Sequence, residues 1–114
     1  MTINQFEIWI ADLNPRKGTE PGKVRPVVIV QTGLLNKHHP STVVCPITTK
    51  IERASEILRV HLPKGSCGLK ETSDIMVDQV RAIDNTRLVK KVGNLPSEIS
   101  ERLKNNLQIL FDLD

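Results

Sequence analysis

The chain has no tyrosine, one tryptophan and two phenylalanines in 114 residues. A module that reads single-stranded bases by stacking them on aromatic side chains needs more than that. Any nucleic-acid binding here therefore rests on charge, hydrogen bonds and backbone. Two cysteines, Cys45 and Cys67, are too few for a disulfide framework. Cys45 lies in the apolar "TVVCPI" and is expected to be a small buried residue. No apolar run approaches the roughly 20 residues of a membrane-spanning helix. The first residues, "MTINQFEIWIADLNP", have neither the basic start nor the apolar stretch of a secretory leader, so a cytoplasmic protein is expected. Walker A, Rossmann-glycine, H-E-x-x-H and C-x-x-C patterns are all missing. The soft ligands Cys45, His61 and Cys67 match no zinc spacing, and neither a metal nor a cofactor is expected.

What is present is one domain's length, residues 1–114, with ordinary hydrophobic and charged fractions of 39% and 25%. The net charge is only +3, but it is unevenly spread. Residues 1–70 carry ten Lys and Arg against five Asp and Glu; residues 71–114 carry six against eight. Arg16, Lys17, Lys23 and Arg25 crowd one stretch with Glu20 as the sole acid. Such a local excess favours a polyanionic partner, although a solvated basic loop has the same composition.

Periodicity divides the chain into short strands. "FEIWIADL" (6–13) alternates and is followed by a Pro- and Gly-rich loop, 14–23. "RPVVIVQT" (25–32) is a continuous apolar strand that starts on a proline, which a first strand position tolerates. A connection at 33–41 has room for a helical turn. "TVVCPITTK" (42–50) is a strand whose Pro46 implies an edge or a bulge. "EILRVHL" (56–62) alternates, with Ile57, Arg59 and His61 on one side and Leu58, Val60 and Leu62 on the other. "DIMVDQVRAID" (74–84) is a strand long enough to bend in the middle. The period then changes: Ile99, Leu103, Leu107, Leu110 and Phe111 recur at helical spacing after Pro96 and Ser97. The fold expected is mainly β: a small, partly open barrel closed by a C-terminal α-helix.

Three polar groups stand on strands or at their ends. Arg25 precedes Pro26 at the mouth of the second strand, below the basic loop. Thr48 and Thr49 end the third. Asp78, Gln79 and Arg81 fall in the fifth. Each has an ordinary reading as solvated flank, strand filler or ion pair. Pro26 holds Arg25 to an extended backbone, and the apolar strand behind it would keep that backbone still.

Over nearly the whole chain, the blocks "EIWIADLNPRKGTEPGKVRPVVIVQ", "VVCPITTK" and "DIMVDQVRAIDNTRLVKKVGNL" and the helical tail resemble the MazF/PemK-type toxins of bacterial toxin–antitoxin modules. The resemblance implies an SH3-like barrel and a homodimer. It also implies a metal- and ribosome-independent endoribonuclease that cuts single-stranded RNA at a short motif, blocked by a MazE-like antitoxin. The family's catalytic arginine falls on Arg25 and its catalytic threonine on Thr48. Its acidic–Gln position falls on Asp78 and Gln79, and its loop bordering the RNA on Glu20 and its neighbours. RNA contacts are thus expected at Lys17, Thr19, Glu20, Thr49, Asp78, Gln79 and Arg81. The sequence departs from the pattern at Pro21 and Lys23, which make the loop stiffer and more basic. It departs again at Met76, where some members carry an arginine. Two other readings stay open: a non-catalytic gyrase poison of the CcdB type, which shares the fold, and a plain RNA-binding barrel.

Overall fold

The structure is a computed structural model that describes residues 2–15, 18–19 and 22–113. Its strands are β1 (Glu7–Asp12), β2 (Val24–Ile29), β3 (Ser41–Thr48), β4 (Arg59–Leu62), β5 (Ser73–Met76), β6 (Arg81–Asp84) and β7 (Leu88–Asn94). A one-turn helix α1 (Gly33–Asn36) links β2 to β3, and α2 (Ser97–Leu110) follows β7. All pairings are antiparallel, in the order β4-β5-β3-β2-β1-β7, with β6 also on β3. Among the described residues β4 and β7 do not pair, so the barrel is partly open rather than closed.

The continuous apolar runs of β2 and β3 follow from burial on both faces. On one face Ile8, Val28, Cys45 and Ile47 join Val60, Leu62, Ile75 and Val77 beneath α2, whose Leu103 is fully buried. On the other face Trp9, Ala11, Val27, Ile29 and Val44 pack with Ile83 and Leu88. Successive residues of one strand thus serve two cores. Helix α2 lays Leu103 at the centre of its buried face with Ile99, Leu107 and Leu110 beside it. Phe111, expected on that stripe, follows the last helical turn and is exposed.

Two expectations need correction. Pro46 is not on an edge strand: β3 is central, and Pro46 faces Val27 of β2. On its other side β3 changes partner around this residue, from β6 (last pair Val44↔Arg81) to β5 (first pair Ile47↔Ile75). The missing N–H therefore falls where the ladder is already interrupted. The bend expected in 74–84 is a full break, in which a single 3-10 turn, Val77–Gln79, separates β5 from β6. Asp78 and Gln79 stand on that turn and not in a strand. "LVKKVGN" carries no strand periodicity in the sequence, yet it forms β7. It buries only Leu88 along its length, so it lacks clean alternation. Its Gly93 is required by contact: a Cβ there would lie 2.0 Å from the Cys67 carbonyl oxygen.

Candidate nucleic-acid groove

The β1–β2 loop is pinned at its neck. Asp12 Oδ1 accepts from the Asn14 backbone N–H and Nδ2, each at 3.0 Å. Asn14 Oδ1 in turn accepts from the Lys23 N–H at 2.8 Å. The Leu13 N–H donates to Lys23 O at 2.9 Å, and Arg87 Nη1 reaches across from the 3-10 turn Asn85–Arg87, just before β7, to the carbonyls of Asp12 and Asn14. The chain therefore enters β2 at a fixed place. Pro26 precedes the β2–β3 ladder, where a missing donor is tolerated.

Arg25, next to it, is half-buried. Its Nε donates to Gly22 O at 3.0 Å, and its Nη1 makes a long contact, 3.5 Å, to Ile47 O. The guanidinium is thus held between the loop and the end of β3. The β2–β3 ladder ends at Val27↔Pro46, so Arg25 and Thr48 each stand two residues beyond its last pair. Thr48 is half-buried and its Oγ1 accepts from the Lys50 N–H at 3.1 Å. Because that contact uses a lone pair, the hydroxyl proton stays available to donate.

Both residues line a groove of about 750 Å³. Thr19, Thr49 and Gln79 line it as well, so the structure gathers five of the expected site residues in one concavity. Lys23, Lys50 and Arg59 add positive charge, and no carboxylate is among its described lining residues. A cleft of one sign in low-dielectric walls concentrates an anionic ligand. Asp78 and Arg81 are not part of this lining. The 3-10 turn sends Gln79 to the groove and leaves Asp78 exposed, while Arg81 starts β6 opposite Val44. Lys17 and Glu20 lie outside the described residues. Among the described residues no group of three or more His, Cys, Asp or Glu is placed to hold a metal ion.

Asp78 acts on one core group: burial first, and then the Asp78 charge, push the Cys45 thiol up to about 12. Cys45 is a neutral packing residue, as its apolar run implies. Sequence reasoning did not find Lys50 and Arg59 as groove residues. Their only signal was position, Lys50 just past a strand end and Arg59 on the polar side of β4; the strand order supplies the rest.

The profile of the PemK-like, MazF-like toxin of type II toxin–antitoxin systems matches residues 4–111. The chain is 33% identical to endoribonuclease EndoA of Bacillus subtilis over 99% of its own length and 97% of that protein. Among solved structures it superposes on the Mycobacterium tuberculosis toxin MazF-mt6 with a TM-score of 0.80. There the identity is 27%, with 95% of this chain and 98% of the other covered. A mycobacterial endoribonuclease in complex with its cognate antitoxin gives a TM-score of 0.77 at 17% identity, with 99% and 96% covered; it shows likeness of fold. No helix among the described residues is long and apolar enough to cross a membrane.

Proposed function

The chain belongs to the PemK-like, MazF-like toxin family, and from that premise we propose that it is the toxin of a toxin–antitoxin module. In this reading it is a cytoplasmic endoribonuclease that cuts single-stranded RNA in the groove holding Arg25 and Thr48. The observation that carries the reading is that the held Arg25 guanidinium and Thr48 line one cationic cleft.

The chemistry that suits these groups is internal transesterification. The ribose 2′-oxygen attacks the adjacent phosphorus and gives up its proton. The P–O5′ bond breaks, and the leaving 5′-oxygen takes up a proton. The products are a 2′,3′-cyclic phosphate and a 5′-hydroxyl. In the transition state the non-bridging oxygens gain charge. Arg25 is planar, permanently charged and able to bind two of those oxygens at once. A donor already fixed before reaction spends nothing on reorganisation, and one such group is worth about 3 kcal/mol in the transition state. The Thr48 hydroxyl donates to the same phosphate and holds the reacting atoms in line. Thr19, Thr49, Gln79 and Lys23 surround them as contacts to the flanking chain. The same positive groove suits an acidic antitoxin segment, which would exclude RNA by occupying it. Two copies of the chain would extend the groove to several nucleotides.

The test is incubation of the purified protein with long, largely single-stranded RNA in EDTA, beside Arg25→Ala. Discrete fragments from the wild type and none from the folded variant support the reading. Intact RNA of varied sequence with the wild type refutes it and turns attention to gyrase poisoning or simple RNA binding.

A further inference from the structure

A second cavity, of about 560 Å³, opens beside the groove, and Arg59 belongs to the walls of both. The sheet register explains their alignment. Thr48 of β3 faces Asp74 of β5, and Asp74 faces His61 of β4. Directly paired residues share a face, so Thr48, Asp74 and His61 form one row across three strands. Two strand spacings separate the ends of the row, roughly 10 Å. That is the reach of a neighbouring nucleotide on a strand whose phosphate sits at Thr48.

Asp74 is the buried centre of this row, with only 2% of its surface exposed. Its Oδ2 accepts from Arg59 Nη1 at 3.2 Å and from the Glu52 N–H at 2.9 Å. Its Oδ1 lies 3.3 Å from His61 Nδ1. A carboxylate on Nδ1 fixes the imidazole ring and leaves Nε2 as the working edge. His61 is otherwise exposed and lines the cavity. The surrounding loop is also tied down: Arg59 Nη1 donates to Lys50 O at 2.9 Å, and Asn106 Nδ2 of α2 donates to Glu56 O at 3.1 Å.

The lining chemistry separates two kinds of ligand. Arg53, Arg59 and Arg102 are balanced by Glu52, Glu56 and Asp74. A site for phosphate alone would not carry as many carboxylates as guanidinium groups; the neighbouring groove, among its described residues, carries none. Mixed donors and acceptors, with Ile51 as an apolar wall, fit the edge and face of a nucleobase. We propose that this cavity is a nucleobase subsite: it takes a base flanking the scissile phosphodiester, and His61, Glu56 and Arg102 set part of the cut-site preference. The proposal rests on the reading of the adjoining groove as an RNA-cleaving site.

The experiment uses oligoribonucleotide pools with each position around the wild-type cut site randomised in turn. The cut fraction is sequenced for the wild type, His61→Ala, Glu56→Gln and Arg102→Ala. Glu56 and Arg102 are exposed, so those two variants carry the test even if His61→Ala does not fold. The wild type is expected to prefer one base at one flanking position by roughly five-fold or more. The variants flatten that preference and keep the others. An unchanged motif in the folded variants overturns the subsite while leaving the cleavage reading intact. So does an equal loss on every sequence with a shallower salt dependence, which marks a phosphate contact. A wild type that cuts no RNA overturns both.

Discussion

Glu7 offers a quantitative check on how the sheet is held. Its side chain is 6% exposed and sits between β1, β7 and the N-terminal segment. Burial alone would raise its carboxyl pKa. Four partners outweigh that effect: the Asn4 N–H at 2.8 Å, Trp9 Nε1 at 3.0 Å, Asn4 Nδ2 at 3.1 Å and Lys91 Nζ at 3.0 Å. The result is a carboxyl pKa lowered from 4.5 to about 2. Such a shift corresponds to about 3 kcal/mol of folding stability. Because the folded-state value is the lower one, this contribution is complete above the unfolded-state value near 4.5. It is lost as pH falls from there towards 2. Glu7→Gln removes the charge and forces an amide N–H₂ among donors. The variant should lose about 3 kcal/mol at pH 7, and the deficit should shrink steadily below pH 4.5. Trp9 is the only tryptophan and touches Glu7 directly, so its fluorescence during urea unfolding reports the site itself. Protomer concentration is held fixed, since association would shift the apparent stability. A deficit of equal size at pH 7 and pH 3 would refute the electrostatic argument.

Other substitutions probe packing and the groove. Leu103→Ala empties the centre of the α2 contact, where the side chain is fully buried; urea titration should show a loss of about 2–5 kcal/mol. Gly93→Ala should cost about 3 kcal/mol or more by the same measurement, because the neighbouring atoms are backbone and cannot rotate away. Arg25→Lys keeps the charge and discards the planar fork, so single-turnover RNA cleavage should fall about 100-fold with little change in stability. Retention of full activity by the lysine variant would show that charge alone suffices at that position.

Local features were readable from the sequence where one residue's setting decides its role. The R-P junction placed Arg25 at the start of β2, the period change located α2, and the apolar run around Cys45 marked that thiol as buried. The polar side of β4 was also visible, with Arg59 and His61 alternating against Val60 and Leu62. Their purpose was not, because it depends on β5 lying between β4 and β3 and bringing Asp74 under both. Strand order is set by long-range pairing, and no local pattern encodes it. β7 was missed for a related reason: an edge strand that buries little has little need of alternation. The 3-10 turn at 77–79 separates Gln79 from Asp78, two adjacent residues that read alike in sequence. Only the change of partner strand along β3 shows why the chain must turn there.

The most direct test of the central claim is the chemistry of the cut ends. RNA fragments made in EDTA would be treated with polynucleotide kinase, with and without prior phosphatase, and their 3′ ends analysed by mass spectrometry. The account predicts 5′-hydroxyl and 2′,3′-cyclic phosphate ends, formed by the wild type and abolished in folded Arg25→Ala and reduced in Thr48→Ala. Fragments with 5′-phosphate and 3′-hydroxyl ends, or cyclic ends made equally well without Arg25, would contradict it.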